Sequence, residues 1–324
     1  MVAGRATEAE PRAGHDRGAI APCPGTRPHP RSRSSMLAQT FVNGLLLGGV
    51  YGVATIGFSM VWGVMSIINL AHGAYIMMGA YLAYLMAARL GIDPFLSMPL
   101  VMAALFCVGF AVQSLLLNPV MRTSVLLTLA MTFGLDLFLV DVFVALFTSD
   151  IRSVNTSYSS EALAIGPVLV SYVRLAAALL SLALAGLLYL VLTRTRLGQA
   201  ILATALDREA ARLMGIVPER IYGYTAGIGA ALAGAAGSLA STLFPISPGL
   251  GNSFIGAVFV ITVLGGIGSV TGAVAAGFVY ALIQSFAASY LGVNYQEIVA
   301  FGLFLVILVV RPQGLFGKRF FGEV

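Results

Sequence analysis

The chain has 324 residues, 59% of them hydrophobic and only 10% charged, with a formal net charge of +5 and a mean hydropathy of +0.94. A soluble domain carries roughly 25% charged residues, so this composition describes a polytopic integral membrane protein. The positive charge gathers in the N-terminal tail, one internal loop and the C-terminus, which speaks of membrane topology and excludes nucleic acid as a partner.

Residues 1–35 hold six Arg, five Pro and two of the three His, with no apolar run. They are expected to be a disordered tail. No apolar core of a secretory signal is present there, and Met36 is a candidate initiation site. Residues 36–324 then form one transmembrane domain. Its apolar segments, near the roughly 20 residues that a bilayer demands, fall at 41–64, 67–90, 95–117, 124–147, 168–192, 221–243, 252–265, 269–290 and 297–310. The expected fold is therefore an all-α polytopic helix bundle with eight or nine spans. The 252–265 segment is short, and Gly265, Gly266 and Gly268 break it at depth, which is tolerated only where the backbone is buried or lines a cavity.

In chain order, the first polar interruption is the NLAHG run, with Asn69 and His72 between the first two spans. Gly44, Gly48 and Gly52 recur at every fourth position, as do the pairs Gly223 and Gly227 and Gly268 and Gly272, the close-approach spacing of helices in lipid. That spacing argues for a compact bundle without lipid-facing glycines. Asp136 lies near the middle of its span and Asp141 about 140° around the helix, so the two do not face one narrow path. A charge at that depth persists only with a partner or a wet surface. Asn69, His72 and Asp136 are the candidate translocation-path residues, and a hydrogen bond to a neighbouring helix is the alternative for Asp136. Glu297 opens the last segment and is read as a helix cap.

The longest charged interval is 193–220, with Arg194, Arg196, Arg208, Arg212 and Arg220 against Asp207, Glu209 and Glu219. Its arginine excess beside two apolar runs places it on the cytoplasmic side. Gln199 to Met214 contains no Pro or Gly and is expected to be one helix, with Glu209 and Arg212 paired across one turn and Gly215 and Pro218 as the stop. Ile201, Leu202, Leu206 and Leu213 are expected to share a face opposite Arg208 and Arg212. Counting outward, 148–167 and residue 36 fall outside and the C-terminus inside.

No phosphate loop, HExxH, nucleophile elbow, cysteine pair, arginine-rich sensor helix or TVGYG filter occurs, and no resident cofactor or metal site is expected. What remains is a transporter subunit, a channel or a membrane enzyme. The stretches FVNGLLLGGVYGVATIGFSMVWGVMSIINLAHG, TRLGQAILATALDREAARLMGI, VLGGIGSVTGAVAAG and RPQGLFG, in that order, resemble the integral membrane subunits of bacterial ABC importers for branched-chain amino acids, the LivH-type permeases, over nearly the whole chain from Met36. The resemblance implies that 193–220 seats on the ATP-binding subunit, with Asp207, Arg208, Glu209, Ala210, Ala211, Arg212 and Gly215 as its ATPase-coupling residues. Glu209, Ala210, Ala211 and Gly215 spell the EAA-x-x-x-G pattern of importer permeases, though the Ile and Leu-Pro of the fuller pattern are absent. The implied partners are cytoplasmic ATP-binding subunits, a second homologous permease and a periplasmic substrate-binding protein, in a bacterial inner membrane whose lipid surrounds the chain. The rival reading is a secondary transporter or channel driven by an ion gradient, with Asp136 and His72 as ion sites.

Overall fold

The computed structural model describes residues 33–310 except 122–123, 155, 157, 159–160 and 167. The RPQGLFG stretch and almost all of the 1–35 tail lie outside the described residues. Helix α1 already begins at Arg33 and runs to Met65, so the last residues assigned to the tail are helical. Further helices follow as α2 (His72–Leu90), α3 (Pro94–Val112), a π turn (Gln113–Leu117), α4 (Asn118–Met121) and α5 (Val125–Phe147). A two-stranded antiparallel hairpin, β1 (Ala162–Ile165) and β2 (Val168–Ser171), interrupts the expected all-α order. It occupies the start of the 168–192 segment, so α6 begins only at Tyr172 and runs to Arg194. The chain then continues through α7 (Arg196–Leu206), α8 (Arg208–Leu213), α9 (Pro218–Ala240), α10 (Leu250–Gly265), α11 (Val270–Tyr290) and α12 (Gln296–Val310).

Local signals set these boundaries. Asp93 accepts from the Phe95 N–H ahead of α3, Ser124 from Leu127 ahead of α5, and Ser269 from Gly272 ahead of α11, each satisfying a donor that the first turn leaves unpaired. Gly91 closes α2 in the left-handed conformation.

The bundle is built around α1, which packs against α6, α9, α10 and α11, while α9 packs in turn against α2 and α3. Close approach comes from missing side chains. A Cβ on Gly48 would fall 2.7 Å from the Phe278 backbone, and one on Gly237 would fall 2.0 Å from the Ile76 carbonyl. The α1 glycines therefore perform the expected packing role. Gly223 and Gly227 meet the rings of Phe110 and Phe106. Gly268, by contrast, sits in a turn with φ +80°, so it does not share a helix face with Gly272. The expectation of no outward glycines fails as well, since Gly134, Gly186 and Gly302 meet nothing within 4 Å.

Among the described residues, six helical stretches are long and apolar enough to cross a membrane, at Ser35–Met65, Pro94–Met121, Leu126–Phe147, Tyr172–Arg194, Val270–Tyr290 and Val293–Val310, and Leu250–Gly265 is a shorter apolar helix. Helices α2 and α9 are not among them: α2 carries His72, three Tyr and Arg89, and α9 is rich in small residues. Nearly all of α9 is covered by protein, so Ala, Gly, Ser and Thr suffice where a lipid-facing helix needs larger apolar groups.

Candidate functional site

The 193–220 segment folds as two helices. Asp207 ends α7 and caps α8, taking an extended conformation (φ −152°, ψ 115°) while its carboxylate accepts from the N–H groups of Glu209 and Ala210 at 2.8 and 3.0 Å. An aspartate gains more from capping two donors than from extending a helix, so the expected single helix from Gln199 to Met214 is split. Gly198 also lies in α7, at a position where a Cβ would meet the Val191 carbonyl at 2.2 Å. The stop at Gly215 is as expected: φ is +81°, Gly215 N–H bonds Arg212 O, and Ile216 N–H bonds Ala211 O. This is a Schellman closure, which favours glycine at that position.

The charged pairs differ from the expected ones. Arg212 reaches Glu219, in the first turn of α9, at 2.8 Å, and no ion pair between Arg212 and Glu209 occurs among the described residues although both lie in α8. Arg208 leaves the segment altogether. Its guanidinium donates to the Met65 carbonyl at 2.6 Å and lies 5.6 Å over the Tyr222 ring. Met65 ends α1, where carbonyls lack helical partners and a cation is favoured. Ser66 follows it with φ 56°. The apolar residues also separate: Ile201 is buried, as is Ala211, whereas Leu202, Leu206 and Leu213 are exposed, and Met214 joins them. The segment is thus anchored on one side by Ile201, Ala211 and Arg208, and presents an apolar surface on the other.

The candidate path residues meet at the break between α1 and α2. Residues 66–71 are non-helical, yet Ile67, Asn69 and Ala71 are buried. Asn69 caps its own turn, its side-chain oxygen accepting from Ala71 N–H at 3.1 Å. His72 is 2% exposed and donates from Nε2 to the Ala54 carbonyl at 2.9 Å, with the Phe58 ring edge-on at 5.4 Å. Because a carbonyl only accepts, this bond fixes the tautomer with hydrogen on Nε2. Asp136 of α5 is directed at the backbone of Ala74, in the first turn of α2, whose own N-cap Ala71 offers no side-chain bond. A carboxylate facing a buried helix N-terminus offsets the partial positive charge there. Thr132, one turn earlier, accepts from Leu70 N–H at 3.4 Å and lies 3.3 Å from the Ile68 carbonyl.

The structure therefore places Asn69, His72 and Asp136 around the break between α1 and α2, each beside a backbone group. Asp141 lies on the exposed face of α5, apart from them. Two contributors escape a sequence reading. Thr132 carries no signal except its spacing of four from Asp136, and Ser59 holds the second break by accepting from Gly268 N–H at 3.1 Å. Among the described residues no group of three or more metal-ligating side chains occurs.

Comparison with known proteins agrees with this architecture. The profile of the branched-chain amino acid transport system permease component matches residues 40–308. The high-affinity branched-chain amino acid transport system permease protein BraD of Pseudomonas aeruginosa is 32% identical over 298 residues, covering 86% of this chain and 95% of the relative. The corresponding LivH protein of Escherichia coli is 30% identical over 306 residues with the same coverage. A probable LivH permease of Methanocaldococcus jannaschii is 25% identical over 274 residues, 81% of this chain and 87% of the relative. No solved structure gives a significant match. A family match over most of the chain, joined to a polytopic bundle of apolar helices, establishes that the chain belongs to the branched-chain amino acid transport permease family.

Proposed function

We propose that the chain is the membrane-spanning permease subunit of an ATP-driven importer in a bacterial inner membrane, carrying branched-chain amino acids or similar small zwitterionic or neutral solutes. Hydrolysis of ATP belongs to separate cytoplasmic subunits, since the sequence holds no phosphate loop. A second homologous permease completes the membrane path and a periplasmic binding protein delivers solute. In this arrangement α2, α9 and α10 cross the bilayer with the six more apolar stretches, the 193–220 segment faces the cytoplasm, and 148–167 faces outward.

The observation that carries the reading is the exposed apolar surface of the 193–220 segment. Leu206, Leu213 and Met214 are 70%, 89% and 82% exposed on a segment whose other side is fastened to the bundle. A cluster of that kind on a charged loop marks a protein contact. Burial of His72 against Ala54 and the placement of Asp136 at a helix terminus argue against the ion-gradient alternative, because both groups already have structural work.

The test is purification of the tagged chain from its native membrane, followed by uptake into vesicles. ATP-binding subunits should accompany it, and leucine uptake should require ATP and a binding protein. Purification alone, with uptake driven by an ion gradient and indifferent to ATP, would overturn the assignment.

A further inference from the structure

At the end of the bundle opposite the 193–220 segment, a cavity of about 400 Å³ opens between α1, α10, α11, α12 and the 241–249 connection. Its volume falls within the roughly 300–1,000 Å³ of small-molecule sites. Its lining divides into two chemistries. Phe244, Leu250 and Phe254 form an apolar wall, whereas Ser253, Gln284 and Glu297 present polar groups from three different helices. Gln284 donates from Nε2 to the Tyr280 hydroxyl at 3.1 Å, which leaves its carbonyl oxygen to accept, and the Glu297 carboxylate lies within electrostatic reach of the Tyr51 and Tyr280 hydroxyls. Tyr51 adds a hydroxyl and an aromatic face, with its ring 5.5 Å from Phe254 and 5.4 Å from Tyr280.

Glu297 stands in the first turn of α12, where a carboxylate is favourable without any ligand. That explains one residue and leaves the convergence of the others unexplained. A carboxylate beside an amide oxygen and aromatic faces is the environment an ammonium group seeks, and the adjacent apolar wall suits a short aliphatic side chain.

We propose that this cavity is a binding site for a small α-amino acid, its ammonium group held by Glu297 and Gln284 and its side chain lying against Phe244 and Phe254. The site rests on the importer reading for its orientation: it is the first part of the permease that a solute released outside would meet. Ser253, exposed on its rim, is the position from which to probe it.

The experiment uses the full chain with its co-purifying subunits, Cys23 and Cys107 replaced by Ser, and Ser253→Cys as the single thiol. Cationic and anionic methanethiosulfonates of matched size are compared by labelling rate. With Glu297 present the cationic reagent should react about tenfold faster, a factor that a single carboxylate at close range supplies. The preference should vanish in Glu297→Gln and return in Glu297→Asp. Excess leucine should slow labelling, whereas 4-methylpentanoate, with the same side chain and carboxylate and no ammonium, should not. Equal rates for the two reagents, or equal protection by leucine and 4-methylpentanoate, would overturn the proposal. ATP-driven uptake measured on the same preparation separates the two ideas: uptake without leucine protection removes the site and leaves the importer, and protection without ATP-driven uptake does the reverse.

Discussion

Replacing Arg208 tests whether the charged segment is tied mechanically to the bundle. Arg208→Gln removes a charge-assisted hydrogen bond to the terminal carbonyl of α1 and a cation over the Tyr222 ring. A charged hydrogen bond contributes about 1.5–3 kcal/mol, which partial solvent exposure reduces toward the lower figure. The ring contact adds about 0.5–1 kcal/mol, so the loss should be about 2 kcal/mol. Arg212→Gln is the matched control. Its bridge to Glu219 joins side chains 59% and 29% exposed and should contribute about 0.2–1 kcal/mol. Denaturation in detergent reads the stability difference, and solute moved per ATP hydrolysed in reconstituted vesicles reads the coupling. Arg208→Gln should lose both stability and coupling, and Arg212→Gln neither to a comparable degree. Identical behaviour of the two variants would refute the view that Arg208 is the fastening.

Four further outcomes are expected. Gly237→Ala should prevent native packing of α9 on α2, because its Cβ would fall 2.0 Å from a backbone carbonyl, whereas Gly134→Ala should leave folding of the chain intact; limited proteolysis of the two variants compares them. His72→Leu should lower stability by about 1–3 kcal/mol, the order of an unsatisfied buried partner, yet leave ATP-driven uptake insensitive to a protonophore; sensitivity that appears in wild type and disappears in the variant would restore a proton role. Asp207→Ala should cost about 0.5–2 kcal/mol locally and speed amide exchange across 208–213 without changing exchange in α1. Tyr158→Phe should lower the melting temperature equally at pH 6 and pH 8. Burial, and then the Asp93 carboxylate to which it donates, push the Tyr158 phenol up to about 12. A raised phenol contributes fully below its unfolded value of about 10 and loses that contribution only as pH rises toward 12, so a difference that collapses between pH 6 and pH 8 would contradict the contact.

The helices were legible because bilayer length and hydropathy are strong local signals, and Gly215 and Pro218 marked a true end for the same reason. The split at Asp207 was legible only in part. Asp is both a common surface residue and a good cap, and the choice depends on a turn that the sequence alone does not show. The partner of Arg208 was not legible at all, since Met65 contributes a backbone carbonyl 143 residues away and no side-chain pattern announces it. For Asn69, His72 and Asp136 the sequence marked a shared neighbourhood by the cost of polarity at depth, but cost does not show the partner. The structure supplies it: the Ala54 carbonyl accepts from His72, and the backbone of Ala74 at the start of α2 lies beside the Asp136 carboxylate.

Helix α1 carries both interruptions of the bundle. Ala54 receives His72 from the first, Ser59 receives Gly268 from the second, and Gly63 lies against Gly268 with no side chain between them. The far end of the same rod is gripped by Arg208. The charged segment is thus fastened to a single shaft whose last three turns bear directly on two of the non-helical breaks. Such a layout gives two compliant joints one common support, to which α5 adds a second mount at the first joint through Thr132 and Asp136.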